Sequence, residues 1–245
     1  MIKTNPLVLE FAHDLELEGK PIIKKGTSGE NVLYIYPKSG VIKDFLSRSN
    51  INDEIEIMSS LEGSKYYQMI DYKNEPALKL IAYEWVNPVL DNIAKLGTNI
   101  NYLNRMIHDI LDNIVYLAKI NWIHDDTGLG NVGCKRNGKS YRFVLIDYED
   151  AKKKNNPETL KELVLSDIIK FLEDIVHHLT KNNYLEHANY VLNLKDYLLT
   201  NLSKIETITT TNFRKQKLEI IVNVPTFTKF KEILQYFKIF SSQVA

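Results

Sequence analysis

Between Ile100 and Ile120 the chain reads "INYLNRMIHDILDNIVYLAKI", with Leu103, Ile107, Ile110, Leu111, Ile114 and Leu117 spaced three and four apart. That period puts them on one face of an α-helix about twenty residues long. A stripe of that length has to be buried against another apolar surface, because an isolated amphipathic helix is marginal in water. The chain therefore has a substantial helical layer. Whatever precedes and follows the helix has to fit around it.

What precedes it is β-rich. "KPIIKKGTSGENVLYIYPKSGVIKDF" holds three short runs, Pro21 to Lys25, Val32 to Tyr36 and Val41 to Phe45, separated by Gly26, Gly29 and the "PKSG" turn at Pro37 to Gly40. These predict an antiparallel meander. "NINDEIEIMSSLEG" predicts a helix capped by Asn52 or Asp53, with Ile55, Met58 and Leu61 on one face and Gly63 at its end. "YYQMIDYKNEPALKLIAYEW" predicts two more strands with a turn near Lys73 to Pro76. Beyond the long helix, "NVGCKRNGKSYRFVLID" predicts a hairpin turning at Asn137-Gly138. Helices near Lys161 to Thr180 and Tyr184 to Leu202 follow, then a strand-like "KLEIIVNV" and a final helix near Lys229 to Ser241. The expected class is α+β. A small β-rich part with one helix spans residues 1–86 and a larger, mostly helical part spans residues 87–245.

Composition removes several functions. Lys+Arg and Asp+Glu both number 31, so the basic excess of a nucleic-acid binder is missing. Cys134 is the only cysteine, which excludes a disulfide or a cysteine-based zinc framework; in a strand it reads as a small buried hydrophobe. No apolar run reaches the ~20 residues of a membrane span. Glu10, Asp14, Glu16 and Glu18 interrupt the start where a signal peptide needs an apolar core. A cytoplasmic protein is expected. The aromatic-rich "FTKFKEILQYFKIF" reads as packing, with Lys229, Lys231 and Lys238 leaving an interfacial role open.

The polar segment after the long helix is "IHDDTGLGN", Ile123 to Asn131. Alone, Asp125-Asp126 suits a solvated turn. In context, His124 and Asp126 are two apart, Asn131 is five after Asp126, and Asp147 ends the hairpin's second strand. This order resembles the protein-kinase-like fold, whose catalytic loop runs H-R-D-x-x-x-x-N and whose metal-binding aspartate opens D-F-G. Upstream, "GTSG" resembles the glycine-rich loop, "VIK" the third-strand lysine, "DEIEIMSSL" the helix that supplies its glutamate, and "IAYEWV" the hinge. Downstream, Asp167 in "VLSDIIKFLEDIV" resembles the helix aspartate that braces the catalytic loop. The resemblance covers roughly Pro21 to His178, with the pieces in order.

The resemblance implies a two-lobed kinase-like fold, one domain overall, binding ATP with Mg²⁺ or Mn²⁺. Asp126 would orient the acceptor hydroxyl and take its proton. Asn131 and Asp147 would hold the metal. Lys43, paired with Glu54, would touch the α- and β-phosphates, and Gly26 and Gly29 would let the backbone approach them. Glu84 C=O and Val86 N–H would meet the adenine edge, with Tyr83 behind it. His124 would be a brace. Plainer readings stand beside these. Lys43 also suits a surface strand, Glu56 competes with Glu54, and Gly26 and Gly29 also suit a plain hairpin turn, since the family's first glycine falls at Lys24 and Val32 comes one residue late. His177-His178, near Asp174, reads as structural.

The chain also departs from the pattern. Asp125 replaces the arginine of H-R-D, and Gly128 stands where Ser/Thr protein kinases have a lysine. "DYE" replaces D-F-G, and twenty positions from Asp147 to Asp167 leave a short activation segment with no A-P-E. Its hydroxyls are Thr159 and Ser166, the latter read as capping the bracing helix, with Tyr148 directly after the metal aspartate. "IDYED" is similar to the aminoglycoside and choline kinase branch, but the forty positions from Glu84 to His124 leave little room for that branch's helical insertion. Reduced kinases of this type occur among bacterial effectors and large DNA viruses, for which the compartment would be the host cytoplasm. The expected function is an atypical Ser/Thr-type protein kinase acting on a protein substrate. The alternatives are a kinase for a small-molecule alcohol and a pseudokinase-like interaction module. Regulation is expected from a protein partner or the N-terminal segment.

Overall fold

A computed structural model describes residues 5–26, 31–46, 51–76, 78–137, 140–154 and 157–207. It is an α+β structure whose chain packs as two units. One takes the described residues of Met1–Asn87 and Gly133–Ala151, the other those of Pro88–Val132 and Lys152–Ala245. The hairpin after the long helix, which the sequence pattern assigns to the helical part, thus groups with the N-terminal unit. Gly29, Gly138, "KLEIIVNV" and the final helix lie outside the described residues.

The first unit opens with α1 (Pro6–Asp14), an element that the sequence reading did not anticipate. Its signals are local. Pro6 sits at the first helical position, where its missing N–H costs nothing, and the Asn5 side chain accepts from Leu7 N. Asn5 also donates from Nδ2 to Asp44 Oδ2 at 3.3 Å and from its backbone N to Tyr34 Oη at 3.1 Å, tying the helix to the sheet. That sheet has five antiparallel strands in the order β1 (Ile22–Lys25), β2 (Asn31–Tyr36), β3 (Gly40–Phe45), β5 (Leu78–Glu84), β4 (Met69–Glu75). The turn between β4 and β5 is later than expected, since Lys73 to Glu75 pair within the ladder.

Alternation along these strands sorts the side chains. Tyr34, Tyr36, Ile42, Leu80 and Ala82 pack with Val8, Phe11 and Ala12 of α1 in one core cluster. The other parity carries Lys43, which lies opposite Leu33 on β2 and Ile81 on β5 in the central strand. Burying a large apolar side chain such as Phe11 contributes about 1.5–3 kcal/mol, so α1 is a structural part of this unit.

Helix α2 (Asn52–Ser60) follows β3. Asn52 does not cap it, because its side-chain oxygen accepts from Asn74 Nδ2 at 2.9 Å instead. The buried face is Glu54, Ile57, Met58 and Leu61, while Ile55 is only half-buried and Glu56 is exposed. The expected apolar stripe is therefore rotated, and the buried position it gains is a carboxylate. After β6 (Asn87–Pro88), α3 (Ile93–Thr98), α4 (Ile100–Lys119) and β7 (Trp122–Ile123), the chain forms the hairpin β8 (Val132–Asn137) and β9 (Ser140–Leu145). Cys134 is buried in β8. At Gly133 a Cβ would come within 2.3 Å of Val86 Cγ2, so only glycine lets β8 pass that residue.

The second unit is built on α4. Asn99 caps it by accepting from Tyr102 N at 3.0 Å, and Leu103, Met106, Ile107, Ile110, Leu111, Ile114 and Leu117 are buried. Asn121, at φ 64°, turns the chain into β7, which pairs antiparallel with β10 (Lys152–Lys153). Helices α5 (Pro157–Lys181) and α6 (Leu185–Thr207) pack on each other. Because α5 starts at Pro157, Ser166 lies well inside it and cannot be its N-cap. A proline at the first helical position again marks the start. Among the described residues no helix is long and apolar enough to cross a membrane.

Candidate active site

In the first unit the sequence-predicted Lys43, Glu54 and Asp147 come together. Lys43 is 3% exposed, although lysine is among the residues least often buried. Its Nζ lies 3.4 Å from Glu54 Oε2, 2.6 Å from Asp147 Oδ1 and 2.8 Å from Glu149 Oε2. The ring of Phe45 lies 4.7 Å from the same nitrogen. Burial alone would lower the Lys43 pKa; the carboxylates of Glu54 and Asp147 outweigh it and raise it, so the ammonium stays charged. Glu54 shows the opposite balance. Burial pushes its carboxyl up, resisted by Lys43 and by a 2.5 Å hydrogen bond from Tyr83 Oη to Oε1. Burial and the Glu54 charge hold the Tyr83 phenol well above its usual range, so it remains a donor. Tyr67 stacks on Tyr83 with ring centroids 5.4 Å apart.

Asp147 has φ 61°, a left-handed conformation uncommon outside glycine, asparagine and aspartate. Ile146 alone separates it from the end of β9, and its carboxylate is held by Lys43. Glu149 was not singled out from the sequence, although it stands in "IDYED". It accepts from Asn31 Nδ2 at 2.9 Å as well as pairing with Lys43. Asn31 in turn closes the β1–β2 hairpin, its carbonyl accepting from Gly26 N at 2.9 Å. A Cβ on Gly26 would sit 1.9 Å from Asn31 Oδ1, so this glycine makes room for that side chain.

Glu84 and Val86 belong to the same unit. The Glu84 carboxylate accepts from Gln68 N at 2.7 Å and pairs with Lys135 of β8, whose Nζ also donates to Tyr66 O at 3.0 Å. Val86 is buried against Gly133.

Asp126 and Asn131 lie in the second unit, on the segment between β7 and β8. Asn131 Nδ2 donates to Asp126 Oδ2 at 2.6 Å and to Asp126 O at 3.0 Å, and Asp126 is exposed. The segment is anchored from α5. Asp167, 1% exposed, accepts from the backbone N of both His124 and Asp125 at 3.2 Å, and Thr127 Oγ1 donates to Asp167 O at 2.7 Å. Burial pushes the Asp167 carboxyl up to about 6 against those two N–H donors. Asp174 Oδ2 accepts from Leu129 N at 2.7 Å and pairs with His178 at 3.6 Å. A Cβ at Gly128 would lie 3.3 Å from that carboxylate. His124 is fully buried, as a brace would be.

Asp125 has φ 65° and faces lysines. It pairs with Lys152 of β10, lies 3.5 Å from Lys170 Nζ, and accepts from Lys170 at its carbonyl at 3.3 Å. The Lys152 hydrogen bond, opposed by some burial, lowers its pKa. These partners sit 27 and 45 residues away, so nothing in the local pattern marked them.

Chemically, the first unit offers a buried ammonium among carboxylates, and the second an exposed carboxylate beside an amide on a well-anchored segment. Both supply hard oxygen donors, the type that Mg²⁺ takes. Among the described residues no three His, Cys, Asp or Glu side chains are arranged as a metal cage. A Mg²⁺ carried by a nucleotide needs only one or two protein oxygen ligands and keeps its waters, and Asp147 in the first unit and Asn131 in the second each carry an oxygen of that type. No protein-family model matches the chain, and no curated protein matches it in sequence.

Proposed function

We propose that the chain is an ATP-dependent phosphotransferase of protein-kinase-like, two-lobed type, acting as an atypical Ser/Thr-type protein kinase with a shortened activation segment. The observation that carries this reading is the junction of Lys43, Glu54 and Asp147. A carboxylate from the next helix and an aspartate just after a distant hairpin converge on one buried central-strand lysine. A lysine is costly to bury, and a strand-surface role would not require it. The buried Glu54 and exposed Glu56 support the choice between those two glutamates.

In this reading Lys43 binds the α- and β-phosphates and Glu54 holds it in place. Bound Mg²⁺ would neutralise phosphate charge, with Asp147 and Asn131 as its protein ligands. Asp126 orients the acceptor hydroxyl and accepts its proton, held by Asn131 and by the Asp167 anchor behind the loop. Glu84 C=O and Val86 N–H receive the adenine edge, and Gly26 borders the phosphates. Phosphoryl transfer needs mainly positioning and charge neutralisation, which these residue types supply.

A second reading is a kinase for a small-molecule hydroxyl. Gly128 favours it, because the lysine of Ser/Thr protein kinases is missing there and Asp174 takes up the adjacent space. The test is incubation with labelled ATP and Mg²⁺, alone, with generic protein substrates and with a panel of small alcohols, beside Asp126→Asn. Protein labelling supports the first reading and alcohol labelling the second. Nucleotide binding without transfer supports an interaction module. Equal activity of Asp126→Asn and the wild type removes the role given to Asp126.

A further inference from the structure

An ammonium has three N–H bonds to donate. At Lys43 three carboxylates already compete for them: Glu54, Asp147 and Glu149. A phosphate oxygen can reach Lys43 only by displacing one of the three. Which one leaves can be argued from contact length, side-chain reach and second partners.

Glu54 is the least able to move. Its side chain is 2% exposed and its other oxygen is bonded to Tyr83. Asp147 is the most exposed of the three, at 48%, but its short side chain sits on a left-handed backbone and makes the shortest contact, 2.6 Å. Glu149 has the longer, more flexible side chain, reaches Lys43 at 2.8 Å, and is 27% exposed, so its carboxylate can rehydrate on leaving. Its second partner, Asn31, stands at the base of the β1–β2 hairpin in the space that Gly26 leaves open. The carboxylate offers Lys43 what a phosphate oxygen would offer, a charged acceptor at charge-assisted hydrogen-bond distance.

We propose that Glu149 is a built-in occupant of the anion seat on Lys43, latched by Asn31, which a phosphate-bearing ligand must displace. This rests on the phosphotransferase reading in taking Lys43 as a phosphate-binding residue. Three carboxylates against one ammonium leave the cluster with excess negative charge, which opposes a polyphosphate until Glu149 withdraws. The latch also couples two events, because displacing Glu149 releases Asn31 at the root of the hairpin.

The test measures binding rather than turnover. Inorganic triphosphate and ADP, each with Mg²⁺ and with EDTA, are titrated calorimetrically into the wild type, Glu149→Gln, Asn31→Ala, the double variant and Lys43→Met. Each protein is first checked for cooperative unfolding. Glu149→Gln should bind EDTA-treated triphosphate about tenfold or more tightly than the wild type. Asn31→Ala should act in the same direction, and the double variant should gain little over Glu149→Gln. Lys43→Met, made in the Glu149→Gln background as well as alone, should abolish the gain. Unchanged or weaker triphosphate binding by folded Glu149→Gln overturns the latch, as does binding insensitive to Lys43→Met. Tighter triphosphate binding with no preference for ADP keeps the latch and removes the nucleotide reading. ADP binding that ignores Glu149→Gln does the reverse.

Discussion

The phenol of Tyr83 donates to Glu54 Oε1 at 2.5 Å while Lys43 approaches the other oxygen of the same carboxylate. A β5 residue and a β3 residue thus divide one buried α2 side chain between them. The Tyr83 hydrogen bond sets which oxygen faces Lys43. Tyr83→Phe should therefore lower stability by about 1–3 kcal/mol, since it strips a donor from a buried carboxylate. Urea unfolding measures this. Glu54→Gln in the Tyr83→Phe background should cost less than it does alone, and a neutral Tyr83→Phe would contradict the assignment.

Lys43 and Glu54 should behave as a coupled pair in stability. Removing one partner of a buried ion pair costs about 3–5 kcal/mol because the other charge is stranded. Lys43→Met should thus be strongly destabilising. The Lys43→Met, Glu54→Gln double variant should be at least ~1 kcal/mol more stable than the sum of the single effects. Denaturant midpoints near neutral pH measure the cycle. Simple additivity, or a larger effect from Glu56→Ala, would place the coupling elsewhere.

The parts of this arrangement that were legible in the sequence are those with a local signal. The β-rich run and turn around Lys43 and the apolar spacing of α4 depend on neighbours a few residues away. So does the choice of Glu54 over Glu56, although the buried face of α2 is rotated from the stripe of Ile55, Met58 and Leu61. A helix face inferred from apolar residues alone cannot anticipate a buried carboxylate. Pro6 and Pro157 likewise mark helix starts by a local signal. Contacts between distant residues leave no local trace; that Asp167 anchors the segment at His124 and Asp125 is implied only by the resemblance. Tyr83 is 29 residues from Glu54, and Glu149 is 118 from Asn31. Such pairs are set by strand order and register, which one sequence does not display.

Asp167 should make stability depend on pH in a direction opposite to most paired carboxylates. Its folded pKa, about 6, lies above the ordinary value of 3.8. Between those values the folded chain holds a proton that the unfolded chain has released, so acidification through this window stabilises. The gain disappears as pH rises through about 6. The shift corresponds to roughly 2–3 kcal/mol. Lys170 and Asp125 also face this carboxyl and pull in opposite directions. Glu54 is raised as well and Asp125 lowered, so the term is best isolated as the wild-type stability minus that of Asp167→Asn. That difference should shift in favour of the wild type as pH falls from 7 to 4. A flat difference would mean that Asp167 is not buried as described.

The last prediction is that transfer does not wait for phosphorylation of the segment after Asp147. In regulated members of the resembled family, a phosphate on that segment is held partly by the arginine beside the catalytic aspartate, and the pair orders the loop. Here the polarity is inverted. The loop carries Asp125, and the cations Lys152 and Lys170 come from β10 and α5. The carboxylate thus supplies the negative charge that a phosphate would bring. Ser166 is no substitute target, since it lies inside α5. Phosphatase-treated wild type, Thr159→Ala and Ser166→Ala should transfer phosphate at rates within about twofold of untreated protein, a difference of under 1 kcal/mol in barrier. Asp125→Arg should slow transfer, because it sets a guanidinium against two lysines and removes the clasp. A large loss on phosphatase treatment that rephosphorylation restores, or full activity in Asp125→Arg, would overturn this account.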